Sequence, residues 1–315
     1  MRDLRIVFMG TPEFAVGVLQ KLIEEKKNIV AVITAPDRPA GRGRKLSSSA
    51  VKEYAVSQDI PVLQPTNLKS DAFLEELRSF NANLQIIVAF RMLPKVVWSM
   101  PEYGTFNLHA SLLPQYRGAA PINWAIINRE SQTGVTTFFI DEKIDTGEII
   151  LKSEVPIKDT ENVGSLHDSL MEIGSELVVE TVTYIENGDV KTIAQPKSDI
   201  LKEAPKLTSE NTRIDWTKSG LEIDALIRGL SPYPVAWCEL TNNEEILKVK
   251  IYAATFEEEE HILAIGFIEA GKKEMKVAVK DGYLNITEIQ LPGKRKMEIS
   301  ALLNGYSFSE EAKLM

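Results

Sequence analysis

Four short, nearly unbroken apolar runs constrain the fold of this chain more than any other feature: Leu4 to Met9, Ile29 to Ile33, Leu84 to Phe90 and Thr105 to Ala110. A strand with one face in water alternates apolar and polar residues. A strand that is apolar throughout needs cover on both faces. The stretches between the runs supply that cover. Thr11-Pro12-Glu13 reads as an N-cap, a proline at the first helical position and an acid in the first turn, and Ala15, Val18, Leu19 and Leu22 follow at helical spacing. Pro61 to Leu63 reads as a short strand and Asp71 to Phe80 as a helix. Pro121 to Asn128 is a further predicted helix, Val135 to Ile140 and Glu148 to Val155 are strands, and a helix from about Val163 to Ile185 ends the series. Strands alternating with helices in this way give an α/β unit with a mostly parallel sheet and helices on both faces. Ligands bind such sheets beyond the carboxyl ends of the strands.

The pattern then changes. Asn187-Gly188-Asp189 is a turn, and Val190 to Leu207, poor in apolar residues and containing Pro196 and Pro205, reads as a linker. Beyond it, a short helix around Leu221 to Gly229 precedes strand candidates at Ala236 to Leu240, Leu247 to Ala253, Ile262 to Phe267, Met275 to Val279 and Leu284 to Leu291. Short strands at that spacing predict a small β-barrel or sandwich. With 315 residues, two domains are expected: a first over 1–189, a linker over 190–207 and a second over 208–315.

Composition excludes several classes. No apolar run approaches the ~20 residues that span a bilayer, and the N-terminus enters a strand without a signal-peptide core, so a cytoplasmic protein without a membrane partner is expected. The single cysteine, Cys238, forms no internal disulfide and builds no cysteine-based zinc site, and no metal is expected. A formal net charge of -9 argues against nucleic acid, although it says little about local patches.

Chemistry concentrates at Phe106-Asn107-Leu108-His109-Ala110-Ser111-Leu112-Leu113-Pro114. Residues two apart on a strand leave the same face, so Asn107 and His109 point into one space. Burying both is costly unless each is hydrogen-bonded, and a satisfied core pair is the bland alternative. Of the three histidines, His261 follows four glutamates in a surface loop and His167 lies in the polar first turns of a helix, which leaves His109 as the general-base candidate. P-loop, HExxH and GxSxG motifs are absent, and Pro12 removes an N–H that a pyrophosphate-binding turn would use. Asp141, Glu142 and Asp145 lie on the loop after the Val135 to Ile140 strand and are acid partners for His109. Asp145-Thr146-Gly147 has no second copy, which argues against an aspartic-protease dyad, and a simple capped turn is the alternative. A carboxylate, an imidazole and an amide without a protein nucleophile suit direct acyl transfer to an amine supplied by a substrate.

Asn107-Leu108-His109, Ser111-Leu112-Leu113-Pro114-Gln115-Tyr116-Arg117-Gly118 and Asp145-Thr146-Gly147 together resemble the 10-formyltetrahydrofolate-dependent formyltransferases. Gly10-Thr11-Pro12-Glu13-Phe14-Ala15, the loop Pro36 to Arg44, Pro205-Lys206-Leu207 and Arg213-Ile214-Asp215-Trp216 resemble the members that act on a charged tRNA. The resemblance covers essentially the whole chain. Phe90-Arg91-Met92-Leu93-Pro94 departs from the commoner Tyr-Gly-Leu-Ile-Leu-Pro and is one residue shorter.

The resemblance implies a Rossmann-like catalytic domain, an OB-like tRNA-binding barrel, and 10-formyltetrahydrofolate as cosubstrate. It makes Asn107, His109 and Asp145 the catalytic trio, with Asn107 and His109 meeting an oxyanion and Asp145 pairing with His109. Folate contacts are expected from Phe90, Met92, Leu93, Ser111, Leu112, Leu113 and Pro114. The initiator methionyl-tRNA is the implied partner, contacted by Arg38, Arg42, Arg44, Lys45 and Lys206, and a monomer is expected. Basic clusters at Lys272, Lys273, Lys276 and Lys280 and at Lys294, Arg295 and Lys296 could extend a cationic track on an otherwise acidic chain. Formyl transfer to a small amine, hydrolysis of the same folate, and non-catalytic RNA binding remain open alternatives.

Overall fold

The computed structural model describes residues 1–40, 45–196 and 200–315. They pack as two compact units, one made of Met1–Gly118, Thr133–Val155 and His167–Glu203, the other of Ala119–Gln132, Pro156–Leu166 and Ala204–Met315.

The first unit is built on a seven-stranded sheet in the order Ile149–Pro156, Gln132–Phe139, Thr105–His109, Leu84–Val88, Ile6–Gly10, Ile29–Ile33, Val62–Leu63. Ile6–Gly10 runs parallel to both Ile29–Ile33 and Leu84–Val88, and Leu84–Val88 runs parallel to Thr105–His109. Gln132–Phe139 is antiparallel to Thr105–His109. Every residue of Ile6–Gly10 and Leu84–Val88 is buried, as unbroken apolar runs require. From Ile6–Gly10 the chain builds outward to Val62–Leu63, then returns to the opposite side at Leu84–Val88. The strand order therefore reverses between these two central strands, which opens a crevice at their carboxyl ends.

The first two helices differ from expectation. The first helix spans Glu13–Glu24, and its cap is Pro12, with no side-chain hydrogen bond, so Thr11 does not cap it. Helical dihedrals begin only after Pro12, which leaves Thr11 one residue too far out. An unexpected helix, Ala50–Ser57, is capped by Ser49, whose hydroxyl accepts from Lys52 N at 3.1 Å. It buries only Val51 and Ala55, too few for a visible apolar stripe. No described helix is long and apolar enough to cross a membrane.

The segment expected as a linker is tied to the first unit along part of its length. Ile193 exchanges two backbone hydrogen bonds with Ile149, at 2.8 and 2.9 Å, and Lys202 O accepts from Tyr116 N at 2.6 Å.

The second unit is an antiparallel sheet in the order Ile268–Ala270, Met275–Val279, Gly282–Gln290, Glu245–Glu258, Ala236–Asn242, Lys313–Leu314. A bridge between Phe267 and Lys313 brings its two ends together, with Leu314 N donating to Gly266 O at 2.8 Å. Closure removes the exposed sheet edges. Gly266 permits it: φ is +82°, and a Cβ there would lie 2.1 Å from Leu314 O. The interior is filled by Cys238, Leu240, Val249, Ile251, Val277 and Leu284, and Ile223 and Ile227 of the Gly220–Leu230 helix pack onto it.

Ile262 to Phe267, expected as a strand, is a loop, and the strand begins at Ile268. Ile262 is fully exposed, and Leu263 N turns back onto His261 Nδ1 at 3.2 Å, which is incompatible with extension. The α/β unit and the small barrel otherwise match the predicted fold class.

Candidate active site

Asn107 and His109 lie at the carboxyl end of the Thr105–His109 strand, which pairs with neighbours on both sides. Asn107 is opposite Ile87 and Phe138, and His109 is opposite Thr136. His109 is only 6% exposed, and its Nε2 is 2.8 Å from the carbonyl oxygen of Tyr116. A carbonyl only accepts, so Nε2 carries a hydrogen and donates it. The other ring nitrogen, Nδ1, is 3.9 Å from Asp145 Oδ2. That distance exceeds a direct hydrogen bond and suits an ion pair once Nδ1 takes a proton. Asn107 Oδ1 is buried without a hydrogen-bond partner among the described residues.

The segment after the strand is held by its own hydrogen bonds. Ser111 donates its hydroxyl to Gln115 O at 2.7 Å, and Thr136 donates to Ser111 O at 2.6 Å while accepting from Leu113 N at 3.2 Å. Lys152 donates its ammonium to Leu113 O, and burial holds that ammonium below its ordinary pKa range. Tyr116 takes the left-handed conformation, φ +59°, and so turns its carbonyl toward His109.

The loop from Asp141 to Gly147 uses its three carboxylates differently. Asp141 Oδ1 accepts from Lys143 N at 2.9 Å and from the Thr146 hydroxyl at 2.8 Å, building the turn. Glu142 pairs at the surface with Lys95 at 2.6 Å, and the hydrogen bond from that ammonium lowers its carboxyl pKa. Asp145 alone faces His109, and its Oδ2 also accepts from Gly118 N at 3.0 Å. Gly147 cannot carry a side chain, because a Cβ would sit 1.6 Å from Phe139 O. Sequence reasoning did not single out the main-chain groups of Tyr116 and Gly118, since neither carries a side-chain signal.

The expected folate residues fall into two groups. Leu93 is buried in a core cluster against which Phe90 packs, while Met92 is 70% exposed. Leu113 is fully buried with Phe138 and Ile149, Ser111 is buried, and Leu112 and Pro114 are half-buried. Among the expected tRNA residues, Arg38 is exposed on the Arg38–Ala40 strand, which pairs antiparallel with the strand opened by Lys45. Arg42 and Arg44 lie outside the described residues. Lys206 is exposed in the second unit. Asp37, the acid beside this basic stretch, is engaged by Lys52 at 2.5 Å and by Gln64 at 2.8 Å.

Residues 4–182 match the formyl transferase family and residues 206–307 the formyl transferase C-terminal domain. The chain belongs to the formyl transferase family. It is 60% identical to the methionyl-tRNA formyltransferase of Flavobacterium johnsoniae over 314 residues, covering 100% of both chains. It is 53% identical to that of Bacteroides thetaiotaomicron, covering 99% of this chain and 98% of the relative. Among solved structures, this formyl transferase chain resembles the sugar 3N-formyl transferase WlaRD, with a TM-score of 0.65, 21% identity and coverage of 94% and 100% of the two chains. HypX from Aquifex aeolicus, solved with tetrahydrofolic acid, gives a TM-score of 0.66 at 21% identity, over 96% of this chain and 47% of that one. At such identity these two show a shared fold.

Proposed function

We propose that this formyl transferase moves the formyl group of 10-formyltetrahydrofolate onto the α-amino group of methionine carried by initiator tRNA, giving formylmethionyl-tRNA for translation initiation. The observation that carries the reading is the end-to-end match to methionyl-tRNA formyltransferases, at 60% identity in the F. johnsoniae relative. The site geometry supports it. His109 faces a carbonyl and a carboxylate rather than a hydroxyl or thiol. Cys238 lies in the barrel core, where burial pushes its thiol far above the usual range. The acceptor amine is therefore the nucleophile.

The folate cosubstrate supplies a formyl group already activated on nitrogen. The side-chain N–H groups of Asn107 would donate to the negative charge that develops on the formyl oxygen as the amine attacks, joined by the His109 ring once it has taken a proton. The His109–Asp145 pair accepts the proton that the amine loses, holds it as an imidazolium beside a carboxylate, and returns it to the folate nitrogen as the formyl C–N bond to the folate breaks and tetrahydrofolate leaves. The amine must be neutral, and with a reference pKa of ~7.7–8 a useful fraction is neutral near pH 7. The trio of Asn107, His109 and Asp145 is thus the proposed catalytic set.

Phe90, Met92, Leu93 and Ser111 to Pro114 follow strand ends at the carboxyl edge of the sheet and would hold the folate. Arg38, Arg42, Arg44, Lys45 and Lys206 would meet tRNA phosphates, with Asp37 already neutralised by Lys52. In this reading 1–189 is the catalytic domain, 190–207 the connection and 208–315 the tRNA-binding barrel, acting as a monomer in the cytoplasm.

An assay with formyl-labelled folate tests the proposal. Label should move to methionine only when charged initiator tRNA is present. Label released as formate without an acceptor, or transferred to a sugar-nucleotide amine in preference to the tRNA, would overturn it.

A further inference from the structure

We propose that Gln195 is a positioning residue that sets the carboxylate of Asp145 against His109. The inference rests on the formyl-transfer reading above. Gln195 Nε2 donates to two carbonyls of the acid loop, Asp145 O and Gly147 O, both at 2.9 Å. Its Oε1 accepts from the Arg117 guanidinium, with Nε at 3.1 Å and a second bond from an Nη. Both amide hydrogens point at carbonyls and the amide oxygen points at a cation. The opposite orientation would set oxygen against oxygen and N–H against N–H, so the network fixes one orientation.

These contacts close a ring around the site. Arg117 stands between Tyr116, whose carbonyl orients His109, and Gly118, whose N–H binds Asp145 Oδ2. Residues 116–118 thus present one group to each member of the pair, and Gln195 clamps that segment to the loop bearing Asp145. The loop needs holding, because Asp145 is left-handed with φ +54°, a conformation disfavoured for any residue with a Cβ. Gln195 is itself anchored. Two residues earlier Ile193 is paired with Ile149 in both directions, and Pro196 restricts Gln195 to extended backbone.

A carboxylate displaced by ~1 Å from a productive geometry can cost ~100-fold in rate. In the full-length protein, Gln195→Met, which keeps the length and loses every hydrogen bond, should lower kcat by ~10–100-fold with KM for folate and for tRNA changed less than ~2-fold. Because Gln195 acts through Asp145, adding Gln195→Met to Asp145→Asn should cost no more than ~2-fold beyond Asp145→Asn alone. A multiplicative loss, or a wild-type kcat for Gln195→Met, would overturn the proposal. Gln195→Glu retains the acceptor for Arg117 but loses both donors. It should behave like Gln195→Met, and it carries the same measurements if Gln195→Met does not fold. Amide hydrogen exchange gives a readout independent of activity: the Gly118 N–H should exchange ~10-fold faster or more in either variant than in wild type. Unchanged Gly118 protection would overturn the clamp. If wild-type protein formylated no charged tRNA, the functional reading would fall while Gly118 exchange still decided the clamp.

Discussion

The strand end bearing Asn107 and His109 and the strand pair bearing Arg38 and Lys45 belong to the same unit, yet they treat charge in opposite ways. At the strand end His109 and the Asp145 that faces it are nearly buried, and a backbone group orients each: Tyr116 O for His109, Gly118 N for Asp145. On the strand pair Arg38 is exposed, and the neighbouring acid, Asp37, is turned away onto Lys52 and Gln64. Formyl transfer asks for groups fixed to within fractions of an ångström, whereas attraction of a polyanion asks for uncompensated charge and tolerates motion. The buried region should therefore respond to substitution in rate, and the exposed region in salt-dependent affinity.

The largest effects should come from the buried region. His109→Ala and Asp145→Ala should each lower kcat by ~100-fold or more at saturating folate while the thermal transition survives. Activity within a few-fold of wild type for either would erase the distinction between the two regions.

A middle-sized effect belongs to the cations. Arg38→Ala and Arg42→Ala should each weaken tRNA binding several-fold and flatten the log–log salt dependence by roughly one unit. Folate affinity and kcat at saturating tRNA should hardly move. A salt slope equal to that of wild type, with formylation intact, would remove these arginines from the tRNA surface.

The smallest effect concerns Asp37. The hydrogen bond from Lys52 lowers its carboxyl pKa, followed by that from Gln64. A lowered folded-state value means that the stabilisation is fully present above the unfolded carboxylate pKa of ~3.9 and fades as pH falls through the lower folded value. Asp37→Asn should thus lower Tm at neutral pH by no more than about 2 °C, as expected of a surface pair. The gap between variant and wild type should close in acid. A gap that widens below pH 4 would show that another group governs this region. Formylation of tRNA should stay within ~2-fold of wild type, because the ion pair serves the loop and not the chemistry.

Much of the first sheet was legible because its strands are covered on both faces. The apolar pattern marks Ile29–Ile33 with its observed bounds and overruns Leu84–Val88 and Thr105–His109 only at their carboxyl ends. Legibility failed where burial and hydrophobicity part company. Ile262 to Phe267 is apolar enough for a strand, yet Ile262 faces water, while Ala50–Ser57 forms a helix with only two buried side chains. Lys313–Leu314 is too short to announce itself, although it brings the barrel ends together through the Phe267 bridge.

The same division runs through the site. The shared face of Asn107 and His109 follows from the two-residue period of a strand, a local rule that the sequence states by itself. Local chemistry also marks the loop from Asp141 to Gly147 as acidic and turning. Which of its carboxylates meets the imidazole is a tertiary outcome. Asp141 folds back onto Lys143 and Thr146, Glu142 goes to Lys95, and Asp145 is directed inward by Gly118 and Gln195, which stand 27 and 50 residues away in the chain. Hydrogen bonds at that separation leave no periodicity or motif behind, because they depend on how the backbone returns and not on the residue types beside it. The sequence by itself determined the sheet, the shared face and the kind of chemistry; the distance between His109 and Asp145 was decided only when the chain closed on itself.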